Sequence, residues 1–114
     1  MPAGGEAQAR EFYGLLLGLA EIAKPARLAA RGGLWFQCGS IQLHLGVDAD
    51  FMPAMKAHPG LLVGNLAELI AALTAGRHEV KYDTERMAGF DRAFTADPFG
   101  NRIELLQSLE VERD

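Results

Sequence analysis

Three side chains in this sequence have the chemistry of a metal-ligand set: His44, His58 and Glu104. Two imidazoles and one carboxylate leave positions open on a divalent ion and suit Fe, Mn, Ni or Zn. Substrate oxygens fill such positions, where the ion polarises them as a Lewis acid. Taken singly, each histidine is more often exposed or hydrogen-bonded than a ligand, Glu104 is more often a partner of Arg102, and the spacing is too remote to be a motif. What joins them is alternation. Ile41, Leu43, Leu45 and Val47 form one face of a strand, and His44 lies on the other. Leu61 and Val63 oppose His58 in the same way, and Ile103 and Leu105 oppose Glu104. A mid-strand carboxylate does not point into an apolar core, so the face of Glu104 lines something polar. Curvature of the sheet then brings the three together.

The elements that must position these residues follow from turn and cap signals. Asp97-Pro98-Phe99-Gly100-Asn101 has turn chemistry: proline presets φ, glycine takes positive φ, and Asp and Asn bond their own backbone. It joins a strand over 90–96 to one that carries Ile103, Glu104 and Leu105. A first helix is predicted over 7–17, where Ala9, Phe12, Tyr13, Leu16 and Leu17 make one apolar stripe that Gly18 ends. A short strand over 20–24 and a loop over 26–33 follow. A hairpin of strands 34–38 and 41–47 then turns at Gly39-Ser40. After a linker over 48–56 come a strand over 58–63 and a second helix, capped by Asn65, striped by Leu66, Leu69, Ile70 and Leu73, and ended by Gly76. A strand over 79–84 and a loop over 85–89 lead back to 90–96, and the polar tail, 107–114, is expected to fray.

Helix, strand and hairpin thus occur twice. The helix stops Gly18 and Gly76 are 58 positions apart, and His44 and Glu104, each midway along the last strand of its half, are 60 apart. The second half also has a strand before its helix, carrying His58. Its counterpart in the first half would fall before Met1, so the first half is expected to lack its opening strand. The unpaired sheet edge this leaves invites a second chain, so a homodimer, with exchanged strands or modules, is expected.

Composition narrows the function. A chain of 114 residues has room for one domain, and 49% apolar and 23% charged residues are ordinary for a soluble globular protein. Net charge is −4 and there is no basic run, which argues against nucleic acid and anionic membranes as partners. No apolar run spans a membrane and no signal peptide is legible. The single Cys38 excludes an internal disulfide, suits a reducing cytoplasm, and reads as an inert buried residue.

Nearly the whole chain resembles the glyoxalase/bleomycin-resistance/extradiol-dioxygenase superfamily, the vicinal oxygen chelate proteins. The resemblance lies in Ala9-Arg10-Glu11-Phe12-Tyr13 through Leu17-Gly18-Leu19, in Leu43-His44-Leu45-Gly46-Val47, in Lys56-Ala57-His58-Pro59 and, most specifically, in Asp97-Pro98-Phe99-Gly100-Asn101-Arg102-Ile103-Glu104-Leu105. It implies an α+β fold of paired βαβββ modules with a curled mixed sheet: module one over 1–48, module two over 57–107, in a single domain over 1–114. It also implies a divalent metal held by His44, His58 and Glu104, with Glu104 as catalytic base. The departure is the missing first strand, which in the family commonly bears a further ligand.

Alternation places Trp35, Gln37, Arg92 and Phe94 on the cleft side as substrate-pocket residues, with Arg102 as a possible anion partner. His78, just past a helix stop, is expected to be solvated, and Met52 and Met55 either cap the cleft or fill gaps. Three functions fit: a metal-dependent lyase or isomerase acting on a small molecule with vicinal oxygens, an extradiol ring-cleaving dioxygenase, or a protein that sequesters a drug without catalysis.

Overall fold

The computed structural model describes residues 1–85 and 87–109, and the chain forms two compact units, Met1–Pro53 and Ala54–Asp114. The first opens with α1 (Glu6–Ala9), which runs on into a π-helical segment (Arg10–Leu16). The stripe predicted over 7–17 is a continuous helical rod, but the pattern did not reveal its widening. Leu17 N–H bonds the carbonyl of Phe12, five residues back, at 2.9 Å. Gly18 leaves the rod at φ +75°, as a helix stop should. Phe12 and Tyr13 are fully buried, packed edge to face at 4.9 Å, and Tyr13 lies 5.7 Å from Phe36.

The sheet beneath is antiparallel, ordered β1 (Ala20–Ile22), β2 (Leu34–Cys38), β3 (Ile41–Leu45). Leu34 pairs with Leu45 and Phe36 with Leu43 on the helix side; Trp35 pairs with His44 and Gln37 with Gln42 on the other. Part of the expected loop over 26–33 is a short helix, α2 (Ala26–Ala29), because the Pro25 carbonyl takes the N–H groups of Leu28 and Ala29 and the next residues are good helix formers. Gly33 has φ +83°, and a Cβ there would stand 2.1 Å from the Leu45 carbonyl oxygen, so no other residue fits. The Met1 ammonium donates to Gly46 O at 2.7 Å, and Asp48 N–H donates to Met1 O at 3.0 Å. These are the two bonds of a parallel bridge across Val47, at the sheet edge where an opening strand pairs in a full module.

The second unit has that strand. Its sheet is ordered β4 (Gly60–Leu62), β7 (Arg102–Ser108), β6 (Phe90–Ala96), β5 (Val80–Tyr82), with β4 parallel to β7 and the other pairs antiparallel. α3 (Leu66–Ala75) starts at Asn65, whose Oδ1 accepts from Glu68 N–H at 3.1 Å. It packs on β5 and β7, with Leu66, Leu73, Leu61, Ala93, Ile103 and Leu105 buried. The turn between β6 and β7 is built on buried Asp97, which accepts from Phe99 N–H, Asn101 N–H and the Asn101 amide at 2.8–2.9 Å. Gln107 belongs to β7 rather than to a frayed tail, and its Oε1 takes Leu66 N–H at 2.7 Å; 110–114 lie outside the described residues. His58, expected inside a strand over 58–63, precedes β4 by two residues. Pro59 has no N–H for the ladder, and only its carbonyl joins the pairing, accepting from Glu104 N–H at 3.0 Å. Among the described residues no helix is long and apolar enough to cross a membrane.

Candidate metal centre

Register builds the site. Across the second unit's sheet Lys81 pairs with Phe94, Phe94 with Glu104, and Glu104 with Gly60, so these four residues share the face away from α3. Glycine at the end of this row leaves room for the lead-in to β4, and His58 reaches over from there. Its Nε2 lies 2.7 Å from Glu104 Oε1, with the two side chains only 22% and 15% exposed. Its Nδ1 lies 2.8 Å from the Lys56 carbonyl. A carbonyl only accepts, so Nδ1 carries a proton; a second proton on Nε2 makes the contact with Glu104 an ion pair. The Lys56 carbonyl first, and the Glu104 carboxylate second, hold the imidazole pKa above its ordinary 6.5, while the charge of Arg102 opposes them.

These two donors fit a divalent ion. With Nε2 deprotonated, the pair offers an imidazole nitrogen and a carboxylate oxygen, the donor types such an ion takes, and anchoring Nδ1 on a carbonyl is how metal-bound histidines are held in one tautomer. Glu104 is steadied from its other side by Arg92, whose Nη1 lies 3.6 Å from Oε2 and whose Nε bonds Asp83 Oδ2 at 2.8 Å. The partner of Glu104 is therefore Arg92, not Arg102. The Phe94 ring meets His58 edge-on at 6.0 Å and has the Arg92 and Arg102 guanidinium carbons at 5.1 and 4.6 Å from its centroid.

His44 belongs to the first unit. Its Nε2 lies 2.9 Å from Gln42 Oε1, and its ring stacks on Trp35 with centroids 3.6 Å apart and planes 2° from parallel. Gln37, expected in the pocket, donates its amide to the Gly39 and Ile41 carbonyls and closes the hairpin. The structure thus gathers His58, Glu104, Arg92, Phe94 and Arg102 in one unit, and Trp35 and His44 in the other. In the single chain, no group of three or more His, Cys, Asp or Glu among the described residues is gathered as a metal site. Sequence reasoning missed two positioning groups, Asp83 and the Lys56 carbonyl. Asp83 was legible in principle, since the strand pairing that sets Tyr82 against Ala93 brings it to Arg92. A carbonyl has no sequence signature.

The chain's relatives agree with this architecture. A crystal structure from Bacillus anthracis, described as a glyoxalase family protein, matches with 42% identity and a TM-score of 0.88, over 95% of this chain and 88% of that one. A glyoxalase/dioxygenase from Nostoc punctiforme matches with 18% identity and a TM-score of 0.72, over 96% and 88%. TnmS3, an antibiotic binding protein from Streptomyces sp. CB03234, matches with 22% identity and a TM-score of 0.71, over 95% and 90%. No family model and no curated protein matches the sequence. The fold is that of paired βαβββ modules, and the chain belongs to the glyoxalase/bleomycin resistance/dioxygenase superfamily.

Proposed function

We propose that the protein is a metal-dependent lyase or isomerase of glyoxalase type, acting on a small molecule with two neighbouring oxygens. The observation that carries this reading is the His58–Glu104 pair: Nε2 and Oε1 are 2.7 Å apart, and Nδ1 is fixed by a backbone carbonyl. A divalent ion bound there (Fe, Mn, Ni or Zn) supplies Lewis acidity toward the substrate oxygens. His44 is the third ligand that family likeness implies, contributed within a homodimer. Glu104 takes the substrate proton, Arg92 holds its carboxylate in place, and Phe94 keeps water from the reacting end. Metal content and Mn²⁺ titration of the purified protein test this. One ion per chain is expected, with His58→Ala and Glu104→Ala each weakening it at least about tenfold. No stoichiometric binding, or equal affinity in both variants, overturns the reading.

A second reading, sequestration of a small molecule without catalysis, is favoured by the Trp35–His44 stack, a flat aromatic surface on the sheet face away from the helix. It predicts ligand binding that does not depend on metal. The third, ring cleavage, predicts oxygen consumption with catechols.

A further inference from the structure

The second unit has an open cleft of ≈ 440 Å³ lined by Glu79, Lys81, Phe94, Thr95, Ala96 and Arg102. Two of these are cations, and among the described residues neither the Lys81 nor the Arg102 side chain has a hydrogen bond or ion pair. Arg92, the remaining arginine beside Phe94, is already paired with Asp83 and Glu104. Arg102 lies over the Phe94 ring, its guanidinium carbon 4.6 Å from the centroid. An arginine laid on a ring has fewer conformations to lose and keeps its fork of N–H donors available at the edge. Lys81 is the register partner of Phe94, so its ammonium stands on the same sheet face. Glu79 is the one carboxylate in the lining, and no ion pair joins it to either cation. In a chain of net charge −4, two cations without an ion pair in one cleft, one of them laid on its aromatic ring, are a feature that asks for an anion.

We propose that this cleft is an oxyanion subsite, in which Arg102 and Lys81 bind the phosphate, phosphonate or carboxylate group of a small molecule. Arg102 gives a two-pronged contact and Lys81 a point charge. Phe94 sets the Arg102 fork and separates it from His58, whose ring meets the Phe94 edge 6.0 Å away. The inference deepens the proposed function, and rests on it only in assigning the anion to that reaction's substrate: an anionic compound whose charged group sits beside Phe94 while its vicinal oxygens face His58 and Glu104.

The test uses the full chain, metal-free, at low ionic strength, titrated calorimetrically with phenylphosphonate, benzoate and the uncharged benzamide. Binding of at least one anion and not of benzamide is expected, weakening as salt is raised. Arg102→Gln weakens it about 10- to 100-fold and Lys81→Gln about threefold or more, while Arg102→Lys restores part of the loss. Both side chains are exposed, so the variants keep the fold, which circular dichroism verifies. Preference between phosphonate and carboxylate assigns the anion. Benzamide binding as tightly as benzoate, or anion affinities within twofold of the parent in both glutamine variants, overturns the proposal. A parallel Mn²⁺ titration separates the two ideas. Anion binding without metal binding sinks the metal centre and leaves the subsite, and metal binding without anion binding does the reverse.

Discussion

Replacing Asp97 by alanine should loosen the turn on which the register of Glu104 depends. Asp97 is 5% exposed, and its carboxylate accepts hydrogen bonds from Phe99 N–H at 2.9 Å and Asn101 N–H at 2.8 Å on Oδ1, and from the Asn101 amide at 2.8 Å on Oδ2. A bond to a charged group contributes about 1.5–3 kcal/mol when its partner cannot reach water. Phe99 and Asn101 are only half-buried, so water replaces part of that, and about 2–4 kcal/mol is expected for Asp97→Ala. Asn101→Ala removes the amide bond to Oδ2 and should cost about 1 kcal/mol. Asp97→Asn keeps the Oδ1 acceptor and loses the Oδ2 one unless the Asn101 amide turns over, so it should also cost about 1 kcal/mol. Urea unfolding of the four proteins gives the order directly, through midpoints at constant slope. Asp97→Ala within about 0.5 kcal/mol of the parent, or less damaging than Asn101→Ala, would refute the reasoning that this carboxylate organises the hairpin.

Other consequences concern the charge at His58 and one glycine. In the metal-free protein His58 should titrate above 6.5 by NMR; Glu104→Gln should lower its pKa only in part, because the Lys56 carbonyl remains. A raised imidazole pKa means that the stabilisation from the His58–Glu104 pair is complete below 6.5 and is lost as pH rises through the folded-state value, which a stability–pH series on parent and Glu104→Gln resolves. Gly33→Ala should destabilise by more than about 1 kcal/mol in thermal melts, since it forces a positive φ and drives a methyl to 2.1 Å from the Leu45 carbonyl oxygen.

The sequence by itself determined most of the elements and their faces; α2 and the start of β4 were read otherwise. Strand 90–96 begins and ends where the pattern places it, Asn65 caps the second helix, and Gly18 stops the first, because caps, turns and period-two alternation are local constraints. Trp35 with His44, and Phe94 with Glu104, fall on common faces for the same reason. Three features were not legible. The π-helical widening at Arg10–Leu16 depends on where Phe12 and Tyr13 must point to be buried, which an apolar stripe does not encode to the fraction of a turn. The partner of Glu104 is Arg92 rather than Arg102: Arg102 shares the face from two residues back on the same strand but lies over the Phe94 ring, whereas Arg92 reaches Glu104 from the cross-strand diagonal. The fixing of His58 by a carbonyl two residues away, and of its other nitrogen by a carboxylate 46 residues on, is likewise a property of the folded chain. Alternation names a face, and only the folded chain decides which atoms on that face come within 3 Å of each other.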